Sequence, residues 1–300
     1  MLRTAEAPAG GHSGGKNAGE PMEMNASGAP SEAVGRAGKL LGGSRSVVVF
    51  TGAGISTESG IPDFRSPGGV WSRHRPVTYQ EFVSSREARA AYWKMKREGW
   101  NEFAASAPNP AHLAIVQIER AGRLTGLITQ NIDGLHLAAG NSEEKIVELH
   151  GNNRYVKCLT CGAVTGMEEA IRRIDGGEEA PECLECGGLL KPATVSFGQE
   201  MPRGEMERAH EYSTECDLFT VVGSSLVVQP AASFPVIAKR SGAKLIFINM
   251  TPTPLDAIAD VIIRGTAGAA LPAVVAAAGL KTRVQGIEGE ERAGRQLKME

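Results

Sequence analysis

Residues 52–65 read Gly52-Ala53-Gly54-Ile55-Ser56-Thr57-Glu58-Ser59-Gly60-Ile61-Pro62-Asp63-Phe64-Arg65, and they follow the apolar run Val47-Val48-Val49-Phe50. A β-branched run that breaks into glycines and small polar residues predicts a buried strand, a tight turn and a short helix. Such a turn aims backbone N–H groups and a helix N-terminus at an anion, as in dinucleotide-phosphate sites. A lone Gly-x-Gly carries little weight, because glycine turns are common. Three further blocks lie downstream: Thr129-Gln130-Asn131-Ile132-Asp133-Gly134-Leu135-His136, Leu149-His150-Gly151-Asn152 and Gly223-Ser224-Ser225-Leu226. Each comes at the end of an apolar run, where a strand would deliver it to a cleft.

Outward from these blocks the chain alternates strand and helix patterns. Strands are predicted at 46–51, 124–129, 146–149, 218–223, 244–249 and 260–264. Helices are predicted at 78–84, 86–104, 111–121, 231–240 and 267–278. The strands are continuous apolar runs rather than alternating ones, as expected where helices cover both faces of a parallel sheet. The predicted fold is therefore α/β, a Rossmann-like doubly wound parallel sheet with ligands at the carboxyl ends of its strands. Residues 67–108 read as a helical insertion and 151–190 as a cysteine-bearing insertion without a strong core pattern, which together make a smaller lobe. The large lobe takes 37–66, 109–150 and 191–285. Residues 1–36 are rich in Gly, Ala, Ser and Pro and are expected to be disordered, as is the polar tail 286–300.

Three hundred residues with 42% hydrophobic content can bury a large core. A net charge of −2 and a pI near 6.3 argue against direct nucleic-acid binding. No apolar run approaches the roughly 20 residues that span a bilayer, and no secretory signal pattern opens the chain. The expectation is a cytoplasmic, membrane-free and monomeric protein. Four of five cysteines form two Cys-x-x-Cys pairs, Cys158/Cys161 and Cys183/Cys186, with twenty-one residues between them. Four thiolates without a water position predict a closed, structural zinc site. Cys216 precedes an apolar strand and reads as a buried small residue.

Among the six histidines, His150 is the candidate base, because it ends an apolar run and precedes a glycine. His12, His74 and His210 lie in polar surroundings, and His112 follows Asn109-Pro110-Ala111 at a helix start. Asn131 or Asp133 can cap the short helix that carries Leu135 and His136. Phe64 and Arg65 sit on the loop after the glycine turn. Gly223, Ser224 and Ser225 follow the strand at 218–222 and can meet phosphate or ribose oxygens with amides and hydroxyls.

The four blocks, in this order, resemble the signatures of the sirtuin family, the NAD-consuming protein lysine deacylases, over roughly residues 40–285. The resemblance implies that His150 and Asn131 are catalytic. It implies NAD contacts at Gly52, Ala53, Gly54, Thr57, Asp63, Phe64, Arg65, Gln130, Asn131, Asp133, Gly223, Ser224, Ser225 and Asn249. Asn131 and Asp133 would line the nicotinamide pocket, and Gln130 would touch the adjoining ribose. Phe64 would shield the reactive ribose from water. The acyl-lysine peptide would lie against Val195, Phe197 and Gly198, with a partner strand around Val228. Departures from the family pattern are Ser224 for threonine, Thr251 for an acidic residue, Gln199 for glutamate, and Thr194 and Ser196 for larger apolar residues.

By the same resemblance the acyl oxygen attacks C1′ of the nicotinamide ribose and nicotinamide leaves. His150 then serves as base, and the products are free lysine and 2′-O-acyl-ADP-ribose. A mono-ADP-ribosyltransferase at the same site is the alternative within enzymes, and a non-catalytic NAD-binding module the alternative outside them. Desuccinylating sirtuins carry Tyr-x-x-Arg in the helical lobe, where this chain has Tyr92-x-x-Met95. Arg97 falls about 140° further round the helix, so an acidic acyl group is expected to be disfavoured. Tyr92-Trp93 with Gly99-Trp100, and Arg75-Pro76-Val77-Thr78-Tyr79-Gln80, are similar to the class II branch. That branch leaves acetyl and longer neutral acyl groups as the expected substrates.

Overall fold

The computed structural model describes residues 31–280. Helix α1 (Glu32–Gly43) leads into strand β1 (Val47–Thr51), which runs into two short 3-10 turns, Ala53–Ile55 and Thr57–Ser59. Four helices follow, α2 (Val70–Arg73), α3 (Tyr79–Ser84), α4 (Arg86–Glu98) and α5 (Trp100–Ala105). The chain then returns through α6 (Pro110–Arg120), β2 (Leu124–Thr129), α7 (Leu135–Ala139) and β3 (Ile146–Glu148). Next come β4 (Gly151–Cys158), β5 (Val164–Gly166), α8 (Met167–Asp175) and β6 (Leu190–Thr194). The last part alternates α9 (Arg203–Glu215), β7 (Leu218–Val222), α10 (Phe234–Arg240), β8 (Lys244–Asn249), β9 (Val261–Arg264) and α11 (Ala267–Ala277).

Six parallel strands form one sheet in the order β3-β2-β1-β7-β8-β9. Val49 of β1 stands beside Leu127 of β2 on one side and Thr220 of β7 on the other. The chain leaves β1 in both directions across the sheet, so the topological switch point lies between β1 and β7. Every residue of β1 is buried, and alternate ones serve opposite faces. Val47 and Val49 pack with Val34, Leu41, Ile115 and Leu271 under α1, α6 and α11. Val48 and Phe50 pack with Ala209, Phe234 and Ala238 under α9 and α10. A strand with two buried faces has no reason to alternate, which is why its sequence is continuously apolar.

The small lobe has its own sheet, ordered β5-β4-β6 and antiparallel. It also has its own core, contrary to the sequence expectation. Trp93 of α4 packs on Val156, Met167, Ala170, Ile171 and Leu190, together with Cys158 and Cys183. The sequence does not show this core locally because its largest side chain, Trp93, comes from the helical insertion some sixty residues upstream. Strand β6 pairs with β4, so the segment Lys191–Thr194 belongs to this lobe rather than to the large one.

Other differences are local. The expected disorder over residues 1–36 fails from Ser31, whose hydroxyl caps α1 by accepting from the Val34 amide at 3.3 Å. Val34, Ala37 and Leu41 then bury one helical stripe, hidden in the sequence among glycines. Residues 1–30, and the tail 286–300, lie outside the described residues. The helix expected over 86–104 breaks at Gly99 into α4 and α5. Helices α8 and α9 were not anticipated.

Candidate active site

A cavity of about 1130 Å³ opens at the β1/β7 switch point and reaches the small lobe. All nineteen non-cysteine positions singled out in the sequence lie on its wall. They arrive from six places: the loop after β1, the loop after β2, His150 after β3, the segment after β6, and the loops after β7 and β8.

The turns after β1 and β7 are bonded to each other. Gly52 N donates to Val222 O at 3.1 Å and Gly54 N to Gly223 O at 2.8 Å. These two amides are therefore used within the fold, which corrects the expectation that the glycine turn and a following helix present them to an anion. Only 3-10 turns follow, because Gly60 turns left-handed at φ 86° and Pro62 cannot extend a helix. Gly223 has φ 64°, and a Cβ there would collide with the Ile55 amide nitrogen. Only glycine suits that approach. Ser224 is buried and its hydroxyl accepts from Gln130 Nε2 at 2.8 Å. Asn249 Nδ2 donates to Ser224 O at 3.0 Å. Ser224 and Asn249 thus shape the wall, whereas Ser225 is exposed.

His150 is half-buried at the foot of the cavity, with Nδ1 2.9 Å from the carbonyl of Gln130. A carbonyl only accepts, so Nδ1 carries the proton and Nε2 is left as the basic atom. Burial, with a smaller push from Arg65, lowers the His150 pKa, although the Gln130 bond works the other way. The imidazole is neutral at pH 7 and suited to take a proton.

Asp133 and Asn131 converge on one hydroxyl. Ser56 Oγ donates to Asp133 Oδ2 at 2.8 Å and accepts from Asn131 Nδ2 at 3.1 Å. Asp133 Oδ1 also accepts from the Leu135 amide at 2.9 Å, the first amide of α7, although the N-cap residue itself is Gly134 rather than Asn131 or Asp133. Behind them a buried chain fixes the strand ends. His136 Nε2 lies 2.9 Å from Thr51 Oγ1, which donates to Thr129 Oγ1 at 2.8 Å. Thr129 Oγ1 accepts in turn from the Asn131 amide at 3.0 Å. With its own hydrogen committed to Thr129, Thr51 must accept from His136, which sets that ring's tautomer.

Asp63 holds its own loop: its carboxylate accepts from the Arg65 amide at 2.9 Å and the Ser66 amide at 2.7 Å. Burial raises its pKa, but the Ser66 hydroxyl and the two amides outweigh that and keep it below the usual aspartate value. Phe64 packs 5.3 Å from Trp71, and Trp71 6.1 Å from Phe197. The three rings form an apolar stretch of the cavity wall. Beyond it the expected extended edge stops at Thr194. Val195 N donates to His150 O at 2.8 Å, Ser196 N to Gln199 Oε1 at 3.1 Å, and Phe197 O accepts from Tyr79 N at 2.9 Å. Phe197 and Gly198 thus stand on a turn with Val195 just before it, and Gln199, a departure from the family pattern, shapes that turn. Val228 O accepts from Ala232 N at 2.9 Å.

Ser56, Trp71 and Asn153 were missed in the sequence. Ser56 lies inside the quoted stretch, where a hydroxyl among glycines was signal enough. Trp71 and Asn153 had none, since only folding brings them to the cavity.

The cysteines stand apart from this wall. Cys158 and Cys186 sulfurs are 3.6 Å apart, Cys161 and Cys183 sulfurs 3.7 Å, and all four lie within 4.8 Å of one another. A tetrahedron with zinc–sulfur bonds of about 2.3 Å has edges of about 3.8 Å. The knuckles are set by Gly162 N donating to Cys158 O at 3.1 Å and Gly187 N to Cys183 O at 2.8 Å. Four sulfurs and no open position fit a structural zinc ion.

A crevice at the switch point of a doubly wound sheet marks the dinucleotide-binding class of α/β proteins. Within that class the chain belongs to the Sir2 family, whose model matches residues 52–230. NAD-dependent protein deacetylase 1 of Bradyrhizobium diazoefficiens is 49% identical over 238 residues, covering 79% of this chain and 93% of its own. NAD-dependent protein deacetylase of Thermodesulfovibrio yellowstonii is 48% identical, with coverages of 80% and 93%. NAD-dependent protein deacylase 2 of Archaeoglobus fulgidus is 42% identical, with coverages of 80% and 94%. A solved Sir2 enzyme superposes with a TM-score of 0.75 at 42% identity, over 83% of this chain and 98% of its own. A Sir2 protein solved with p53 peptide and NAD+ gives 0.74 at 36% identity, over 81% and 97%.

Proposed function

We propose that this chain is an NAD-dependent protein lysine deacylase that releases nicotinamide and 2′-O-acyl-ADP-ribose. The observation that carries the reading is His150: neutral, held by Gln130 O through Nδ1, and facing the cavity that Asn131 and Asp133 share. The deacetylase and deacylase names of its relatives agree with it.

Bound NAD supplies an electrophilic ribose carbon, toward which the acyl oxygen of the substrate is directed. Around it, Asp133 and Asn131 would hold the nicotinamide amide, one accepting and the other donating, with Ser56 fixing both. Gln130, itself held by Ser224, would meet the ribose. Gly223, Ser224, Ser225, Asn249, Thr57 and Arg65 would hold the remainder of the dinucleotide. Phe64 and Trp71 exclude water from the ribose side. His150 Nε2 would accept the proton of the ribose hydroxyl that takes over the acyl group. Val195, Phe197, Gly198 and Val228 would hold the peptide on either side of the acyl-lysine. Structural zinc at Cys158, Cys161, Cys183 and Cys186 would lock the small lobe without entering the reaction.

Cysteines arranged for a metal rather than for disulfides suit a reducing compartment, and we place the protein in the cytoplasm as a monomer. The catalytic unit begins at α1 in this reading. Mass spectrometry of NAD reactions with an acetylated peptide tests the function: acyl-ADP-ribose is expected, and ADP-ribose left on protein without acyl transfer would replace it with a transferase.

A further inference from the structure

Among the described residues, Leu226 is the one residue other than glycine with a left-handed backbone, at φ 53°. A leucine there brings its Cβ close to the carbonyl oxygen that follows, so the conformation persists only where the surroundings hold it. Leu226 belongs to the turn after β7, where Ser224, Ser225 and Val228 line the cavity and Leu226 itself does not. Its side chain is 4% exposed and joins the core of Phe50, Phe219 and Phe234.

Both ends of this turn are fixed by the rest of the fold. Gly223 O accepts from Gly54 N at 2.8 Å and Ser224 O from Asn249 Nδ2 at 3.0 Å, while Val228 O accepts from Ala232 N at 2.9 Å. Between them, residues 225–227 make a single hydrogen bond among the described residues, from Leu226 N to Ser224 Oγ at 3.3 Å. One long bond does not fix three residues, and Ser225 and Val227 are exposed. The buried leucine side chain is therefore what keeps the left-handed turn in place. Ser224 Oγ accepts a second bond, from Gln130 Nε2 at 2.8 Å, and Gln130 O accepts from His150 Nδ1 at 2.9 Å. The turn thus meets the residues around the base at its start, and by redirecting the chain at Leu226 it returns Val228 to the cavity wall.

We infer that Leu226 is a positioning residue: the strained turn that its side chain anchors sets Ser224 for the dinucleotide and Val228 for the peptide at once. A relaxed turn displaces both from the wall, so the two ligands lose affinity together. The inference rests on the deacylase reading for the identity of those ligands. Branching at Cβ makes a left-handed backbone harder still, whereas a side chain unbranched there leaves it as it is. Leu226→Val therefore keeps most of the apolar bulk and penalises the turn. Leu226→Ala removes the anchor instead, and Leu226→Met keeps both anchor and backbone preference.

Calorimetric binding of ADP-ribose and of an acetyl-lysine peptide to wild type and the three variants, beside nicotinamide release from NAD, tests this role. Melting temperatures show which variants are folded at the temperature of measurement, where a loss of stability alone leaves a dissociation constant unchanged. Leu226→Val and Leu226→Ala are each expected to weaken both ligands by about fivefold or more, and Leu226→Met by less than about twofold. Should one of the first two not fold, the other decides. Wild-type affinities in either, weakening of one ligand only, or equal weakening in Leu226→Met overturns the inference, and nicotinamide release by wild type then leaves the deacylase reading intact. The expected pattern of binding with no nicotinamide release by wild type upholds Leu226 and sinks the deacylase reading instead.

Discussion

At the residue scale the chemistry depends on which atom of each side chain is left over once the fold has used the rest. His150 gives Nδ1–H to Gln130 O, which leaves Nε2 for the proton transfer proposed above. Burial holds its pKa below the usual value, so the active, neutral form dominates above the ordinary histidine range near 6.5. The rate should therefore be flat from pH 7 upward and fall only as pH drops below about 6.5. A single-turnover pH profile with its acid limb at or above 7 would contradict this. Ser56 joins Asn131 to Asp133. Removing it in Ser56→Ala leaves both partners unmatched, a loss of about 1–3 kcal/mol, or roughly 5- to 150-fold in the KM for NAD. Steady-state kinetics with saturating peptide would read it, and an unchanged KM would deny Ser56 this positioning role.

At the element scale, two devices decide whether the cavity exists. One is the zipper between the turns after β1 and β7. Gly223→Ala combines a left-handed backbone with a collision at Ile55, and is expected to lose about 2–4 kcal/mol. A melting temperature within a degree of wild type would show that the turns do not need this contact. The other is the four-cysteine staple, whose Cys158 and Cys183 sit in one core with Trp93. Stripping the metal with a chelator, or Cys183→Ser, should loosen α4 and β4 and red-shift tryptophan fluorescence, with a smaller shift in Trp93→Phe, where Trp100 alone reports on this core. A purified, folded protein without zinc would refute the staple.

At the scale of the whole molecule, stability against acid should depend on two histidines in the large lobe. His112 and His136 lie 4.9 Å apart, and burial lowers both to about 3; for His112 the neighbouring His136 adds to this and Asp133 opposes it. An unfolded histidine protonates near 6.5. Between about 6.5 and 3 the unfolded chain therefore binds more protons than the folded one, and stability falls as pH falls through that window. Urea unfolding at pH 5 should give a stability lower than at pH 7 by on the order of 2–4 kcal/mol. Equal values would mean that the pair takes up protons in the folded state. The lowered carboxylates, such as Asp63 and Asp256, act only at more acid pH.

The large lobe was legible because its strands are buried on both faces, so Val47–Phe50 or Leu218–Val222 announce themselves without alternation. The residues that line the cavity were legible because strand ends carry them there. What stayed hidden depends on contacts between distant segments. The small-lobe core needs Trp93 beside Met167, and the left-handed turn at Leu226 needs the core that buries its side chain. No local pattern encodes either.

The most direct test of the central claim is nicotinamide release from NAD with an acyl-lysine peptide panel, comparing wild type with His150→Ala. Nicotinamide release that requires the acyl peptide, with acyl-ADP-ribose formation that drops by about 10²–10⁴ in the variant, is the expected result. Release that is independent of acyl peptide, or acyl-ADP-ribose formation unaffected by the loss of His150, would contradict it.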